Sequence, residues 1–550
     1  MNETMEAAGI VGSWFGQQAG FRGVDFPVSA DAPGDGNAVV FVSGQDRPGN
    51  VNLPPITGPT LAVLPNPADS RGSLLLVAGR DAGETLAAAQ VLTLGARVLG
   101  APVLGGELAS VIAPELPFRK PYDAPAWIAT DRPVKFGELV DASDLQATGF
   151  VPGALRVPFR TAPDLYTWRD RGFPMQLRFR APPGPIVDLA VSRLDVGIDG
   201  LYLASIPLAD DSPRTASWLS RVFSPGAAHP SSWVEIPAYD VAGQDDLQFL
   251  FDTRPLHRGD CAAIPQDLRM SVDPDSTLDL SRAYRFAAMP NLAYFVNSGF
   301  PFTRMADLSE TVVVLPDRAA PIEVQAFLGL MGRFGAITGT PVTKLSVVRP
   351  GGVQAIGNRD VLLIGATAGL GDALSLLNGS PYRVDGNRLQ IELGSTLDSV
   401  RGWFGDRAES DRTRATAKLA TTVDSGASAL VSVQSPLHAG RTVVALLGAS
   451  PDSVEGLVTI LRHADQARLI QGDLSLAAAG LVTSYRVGDV FTIGSLPFWL
   501  YPSWLLRTAP LTIVALMVVG CALLAVSYAR MLRRRAAARD AARPIGPGLW

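Results

Sequence analysis

The sequence predicts a multidomain chain in which α/β and all-β parts alternate and one membrane-spanning helix closes the order. Three observations carry that prediction. Residues 508–529 form an apolar run without a charge, followed at once by Arg530, Arg533, Arg534 and Arg535. Residues 74–92 (LLLVAGRDAGETLAAAQVL) and 443–461 (VVALLGASPDSVEGLVTIL) share one plan of apolar strand, glycine, polar capping run and amphipathic helix. Between them, Met175, Leu177 and Phe179 alternate with Gln176, Arg178 and Arg180, the period-two pattern of a half-buried strand.

From the N-terminus, residues 8–20 (AGIVGSWFGQQAG) read as a helix rich in small residues, expected to pack closely on a sheet. Residues 36–42 (GNAVVFV) are apolar enough for a strand of a parallel sheet. In 74–92 the glycine ends the strand and the Asp81 region caps the helix. This first α/β unit is expected over 1–105. The same order recurs in 326–339 (AFLGLMGRFGAITG), 357–364 (GNRDVLLI) and 443–461, where Ser450 takes the capping place, giving a second copy over 288–494. The second copy has a strand at 311–315 (TVVVL) ahead of its helix, and the first has only residues 1–6 there. A doubly wound sheet without its first strand leaves a neighbour uncovered, so the natural chain is expected to extend upstream of Met1. Residues 1–30 also lack the basic and then apolar pattern of an export signal, which fits the same expectation.

Residues 110–287 change to period two, with Leu189, Val191, Leu194, Val196 and Ile198 in short runs broken by proline and glycine. That pattern predicts an antiparallel β-sandwich.

Residues 495–507 (SLPFWLYPSWLLR) interleave Phe498, Trp499, Tyr501 and Trp504 with leucines, broken by Pro497 and Pro502. Such side chains favour the headgroup layer, so an amphipathic segment on the outer membrane face is expected. It is either a plain anchor or a docking surface for a neighbouring membrane protein. Residues 508–530 follow as the span, since about 20 apolar residues at ~1.5 Å each cross a core of roughly 30 Å. The arginines hold the basic tail, 531–550, in the cytoplasm. The bulk of the chain is then expected in the periplasm of a bacterium, anchored once in the inner membrane.

Composition narrows the function classes. With 47% apolar and 18% charged residues the chain is globular. Its net charge of -5 hides a basic tail and an acidic outer part, which argues against nucleic acid. Cys261 and Cys521 fall on opposite sides of a membrane boundary and form no disulfide framework. His229, His257, His438 and His463 have no metal-ligand spacing, so no metal is expected.

Residues 164–179 read DLYTWRDRGFPMQLRF, inside a sandwich flanked by the two α/β units and followed by the aromatic segment and the span. In these features the chain resembles the bacterial cellulose synthase regulatory subunit, the B subunit, over essentially its whole length. The resemblance implies two flavodoxin-like domains around a jelly-roll-like, carbohydrate-binding sandwich, with the signal peptide and a first sandwich absent here. It implies a non-catalytic role, in which the tail binds the membrane catalytic subunit and the outer domains guide nascent cellulose. Members are often labelled as binding cyclic di-GMP. The PilZ-type pattern of RxxxR followed by [DN]xSxxG is not met, because Arg535 and Arg539 have only the first spacing. The nucleotide is therefore expected to act on the catalytic partner, with no cofactor in this chain.

Sugar recognition needs aromatic faces and planar hydrogen-bonding groups, which Tyr166, Trp168, Arg169 and Asp170 bring into one stretch with Arg171. A structural corner would use the same residues. Trp127, Trp218 and Trp233 are weaker candidates. The docking candidates are Phe498, Trp499, Tyr501 and Trp504. The run GATAGLG at 365–371, with Asp385 beyond it, resembles a dinucleotide loop but has the spacing GxxxGxG, and a strand-to-helix turn explains it. Asp195 and Asp199 are a conceivable glycosidase pair without evident tuning, and no GxSxG elbow occurs. The rival to an accessory subunit is an independent, membrane-anchored periplasmic carbohydrate-active enzyme. A scaffold that binds no sugar is the third reading.

Overall fold

The computed structural model describes residues 2–541 except 45, 47, 95–108, 111–114, 168–171, 181–186, 210–230, 242, 257–267, 386–387, 393–406, 423–427, 479, 503 and 505–509. The architecture is mixed α/β, with several separate sheets.

The duplicated sequence plan appears as duplicated topology. In the C-terminal unit, strand Asp360–Ala366 runs parallel to Thr442–Gly448, which pairs antiparallel with Ser428–Gln434, which pairs antiparallel with Leu474–Ala478. In the N-terminal unit, Ala38–Ser43, Ser73–Gly79, Thr60–Pro65 and Ala109–Ser110 follow in the same order and the same directions. The helix after each glycine-ended strand starts at a cap of the expected kind. The Asp81 carboxylate accepts from Glu84 N at 2.9 Å, and the Ser450 hydroxyl accepts from Ser453 N. Among the strands that sequence periodicity missed are the antiparallel Thr60–Pro65 and Ser428–Gln434, which make each sheet mixed.

Helices Asn2–Ala19 and Pro321–Thr338 correct one expectation. Their small residues serve a contact between the two helices rather than contact with a sheet. A Cβ added at Gly16 would lie 1.9 Å from the Gly332 carbonyl oxygen, and one at Gly335 would lie 1.9 Å from the Ser13 carbonyl oxygen. Without side chains there, the two backbones touch and the two α/β units share one helix pair. The Ser13 hydroxyl donates to Ile10 O and accepts from Val342 N at 3.0 Å. A Glu6 carboxylate oxygen accepts from Val347 N at 2.8 Å, joining the first helix to the edge strand Ser346–Val348 of the second sheet. Burial holds the Glu6 pKa above its ordinary 4.5 despite that hydrogen bond.

Between the units, a four-stranded and a six-stranded antiparallel sheet enclose one core. Met175, Leu177 and Phe179 of strand Phe173–Arg180 point into it, facing Leu194, Val196, Phe249 and Phe251 of the other sheet, as period two requires. Leu189 and Val191 are not part of a strand. They precede Arg193–Ile198 in a turn, and Val191 is exposed.

Candidate functional site

A three-stranded sheet brings three distant parts of the chain to one place. Strand Tyr284–Met289 pairs with Leu165–Tyr166 on one side and with Phe491–Gly494 on the other. The chain then enters 495–504 directly from that last strand. Gly494 (φ +80°) makes the exit possible, since a Cβ there would lie 2.1 Å from the Arg285 carbonyl oxygen.

Phe286 is the centre of this corner. Its ring is buried, and Tyr166, Tyr501 and Trp504 stand edge-on to it at 5.8, 6.2 and 5.4 Å between centroids. Leu496 and Leu500 complete the cluster. Ser495 N donates to Arg285 O, Leu500 N to Pro497 O and Trp504 N to Leu500 O, so the segment turns helically over the cluster. Its opposite side is open: Phe498 and Trp499 are 80% and 56% exposed. Two of the docking candidates thus face outward, Trp504 turns in to hold the segment down, and Tyr501 bridges the two sides, edge-on to Phe286 and still 44% exposed.

Beneath the cluster, Asp164 is buried and accepts from Arg285 Nη1 at 2.8 Å and from the Tyr122 hydroxyl at 2.5 Å. The Arg285 guanidinium lies 3.8 Å over the Tyr122 ring and donates to Thr130 Oγ1 at 2.6 Å. Burial first, and the Asp164 charge second, push the Tyr122 hydroxyl well above its usual pKa, so it stays a proton donor. Phe286 N also donates to Asp164 O, so the ion pair and the aromatic cluster share one backbone link.

The sugar candidates divide. Tyr166 is half-buried with one side of its ring against Phe286. Trp168, Arg169 and Asp170 lie outside the described residues, as does Trp218. Trp127 is a core residue whose Nε1 donates to Ile337 O at 3.2 Å, and it is withdrawn as a sugar platform. Trp233 is 68% exposed on the sandwich surface, in register with Gln176. Asp195 is bound by the Ser205 hydroxyl, whereas Asp199 sits in a turn at φ +50° and accepts from Asp246 N. In the glycine run at 365–371, a Cβ at Gly365 would meet Pro316 at 2.7 Å, so packing accounts for that glycine. Among the described residues no cluster of His, Cys, Asp or Glu could hold a metal ion. Cys521 is a free, exposed thiol, and Cys261 lies outside the described residues.

The last helix, Pro510–Ala541, exposes Met517, Val518, Leu523, Leu524 and Val526 along its described part, followed by Arg530, Arg533, Arg534 and Arg535. Among the described residues no helix is long and apolar enough to cross a membrane, and the side chains of 510–516 lie outside them.

Three family models match in sequence order. The first FD domain of cellulose synthase BcsB matches residues 1–106, its second CBM domain 133–277 and its second FD domain 285–446. The chain is 42% identical over 541 residues to a cyclic di-GMP-binding protein of Komagataeibacter xylinus, covering 97% of this chain and 66% of that one. It is 33% identical over 545 residues to a cyclic di-GMP-binding protein of Pseudomonas fluorescens, covering 97% and 71%. It is 41% identical over 547 residues to cellulose synthase 1 of Novacetimonas hansenii, covering 98% and 35%. The chain therefore spans about two thirds of the length of the first relative and about a third of the last.

Proposed function

The chain belongs to the BcsB family of cellulose synthase subunits, and from that premise we propose that it is a non-catalytic, membrane-anchored regulatory subunit. In this reading it supports the catalytic glycosyltransferase and guides nascent β-1,4-glucan across the periplasm. The α/β units act as flavodoxin-like spacers around a jelly-roll-like sandwich. Residues 508–530 cross the inner membrane once, leaving the bulk periplasmic and the arginine tail cytoplasmic.

The observation that carries the reading is the two-sided 495–504 segment. Leu496, Leu500 and Trp504 fix it to Phe286, while Phe498 and Trp499, with the exposed part of Tyr501, present an aromatic surface of the kind enriched at protein and membrane interfaces. An independent glycosidase is disfavoured because Asp195 and Asp199, its best carboxylates, are occupied by a hydroxyl and by a turn. Cyclic di-GMP acts on the catalytic partner, since Arg535 and Arg539 lie on an exposed helix without the second half of the nucleotide motif.

Exchange of 495–507 for a generic membrane anchor tests the proposal. Glucan synthesis by the reconstituted complex should be lost, and retention at the native rate would reject a docking role.

A further inference from the structure

The last helix carries its positive charge as a collar. Arg530, Arg533, Arg534, Arg535 and Arg539 are all exposed on Pro510–Ala541. At about 100° per residue they stand at roughly 0°, 300°, 40°, 140° and 180° around the axis, so no gap between them exceeds about 120°. The first four fall within about 7.5 Å along the axis, close to the depth of one headgroup layer, since a bilayer is roughly 40–45 Å thick around a core of about 30 Å. Alanine and arginine are both strong helix formers, and Ala536, Ala537 and Ala538 carry the helix on beyond the apolar run while leaving the guanidiniums uncrowded. No Asp or Glu occurs from Val490 to Arg539, so ahead of Asp540 the helix supplies these cations with no counter-charge.

Two features identify the counter-charge. Every basic residue from Arg530 to Arg543 is an arginine, and none is a lysine. Either would serve as a topology signal, but a guanidinium meets two phosphate oxygens with parallel N–H donors, whereas an ammonium is a point charge. The collar also has no free side. A partner protein contacts a helix along one stripe, with anchors at i, i+3, i+4 and i+7, while a layer of headgroups surrounds it. Exposed Leu523, Leu524 and Val526 lie just before the collar, where acyl chains would meet them, and Tyr528 stands at the boundary.

We propose that this arginine collar binds the phosphates of anionic lipid headgroups in the leaflet it adjoins, with phosphatidylglycerol as the simplest ligand of that class. The assignment rests on the membrane-anchored reading and adds a lipid preference to it.

The test is native mass spectrometry of the detergent-solubilised full chain, titrated with phosphatidylglycerol or with phosphatidylcholine of the same acyl chains. The helix variant Arg533→Gln/Arg534→Gln/Arg535→Gln is compared with a control, Arg71→Gln/Arg282→Gln/Arg318→Gln, whose arginines are exposed away from that helix. The native chain and the control are expected to bind phosphatidylglycerol roughly tenfold tighter or more, and the helix variant to lose that preference, given that one arginine near an anionic surface is worth about fivefold. Equal affinity for the two lipids in the native chain overturns the proposal. So does a preference that survives in the helix variant or disappears in the control, or displacement of the lipid by an equal concentration of inorganic phosphate. Alkaline carbonate extraction of the chain from phosphatidylglycerol vesicles tests the span separately. A chain that is extracted yet keeps the arginine-dependent preference rejects the transmembrane reading and leaves the lipid assignment standing. A chain that resists extraction without the preference does the reverse.

Discussion

The indole of Trp504 meets the ring of Phe286 edge-on, with centroids 5.4 Å apart and planes at 88°. That one contact couples the C-terminal segment to the strand that also carries Arg285, and hence to the Asp164 ion pair.

Phe286→Ala removes the surface on which Tyr166, Tyr501 and Trp504 all rest. Truncating a buried phenylalanine costs about 3–5 kcal/mol. The expected outcome is a lower midpoint in chemical denaturation and faster protease cleavage within 495–507. Unchanged cleavage would show that the segment is held by something other than Phe286.

Arg285→Ala leaves the buried Asp164 carboxylate without its cation. Breaking a buried pair from one side costs about 3–5 kcal/mol, more than an exposed pair is worth. Arg132→Ala is the comparison, since its partner Glu138 is exposed, and its loss should shift the melting temperature little. Equal shifts in both variants would contradict the buried latch.

Gly16→Ala and Gly335→Ala force a methyl group into backbone atoms of the facing helix. Overpacking of this kind costs about 1–3 kcal/mol, and here the obstacle is backbone, so the upper end is expected. Gly12→Ala, whose Cβ would sit 3.4 Å from the Leu328 side chain, should be much milder. Denaturant midpoints of the three variants check the ranking.

Glu6→Gln keeps an acceptor for Val347 N and removes a charge disfavoured by burial. A carboxyl whose folded pKa is raised contributes stability that is complete below its unfolded value near 4.5 and lost as pH rises through the folded value. The variant should therefore melt higher than the native chain at pH 7, with the difference shrinking as pH falls through the raised folded value toward about 4.5 and little changed below it. A difference independent of pH would contradict this.

Local patterns were legible wherever a side chain's role is decided within its own element. Period two placed Met175, Leu177 and Phe179 inward, and the repeated strand, glycine and cap located Ser73–Gly79 and Thr442–Gly448 with their helices. The helix rich in small residues was legible as an element but not its partner, because glycines at 12, 16, 332 and 335 state only that something comes close. The identity of the neighbour depends on how the two α/β units meet. The antiparallel strands Thr60–Pro65 and Ser428–Gln434 were missed because an apolar run carries no direction. At the candidate site the aromatic residues of 495–507 were visible, but Phe286 was not. It is an ordinary strand residue until the sheet brings three distant segments together.

The most direct measurement is glucan synthesis from UDP-glucose in lipid vesicles holding the catalytic glycosyltransferase and cyclic di-GMP. It is run with the intact chain, without it, and with the chain cut before Ser495. Polymer that forms only with the intact chain is the predicted result and places the accessory role in the C-terminal segment. Equal synthesis in all three would contradict it.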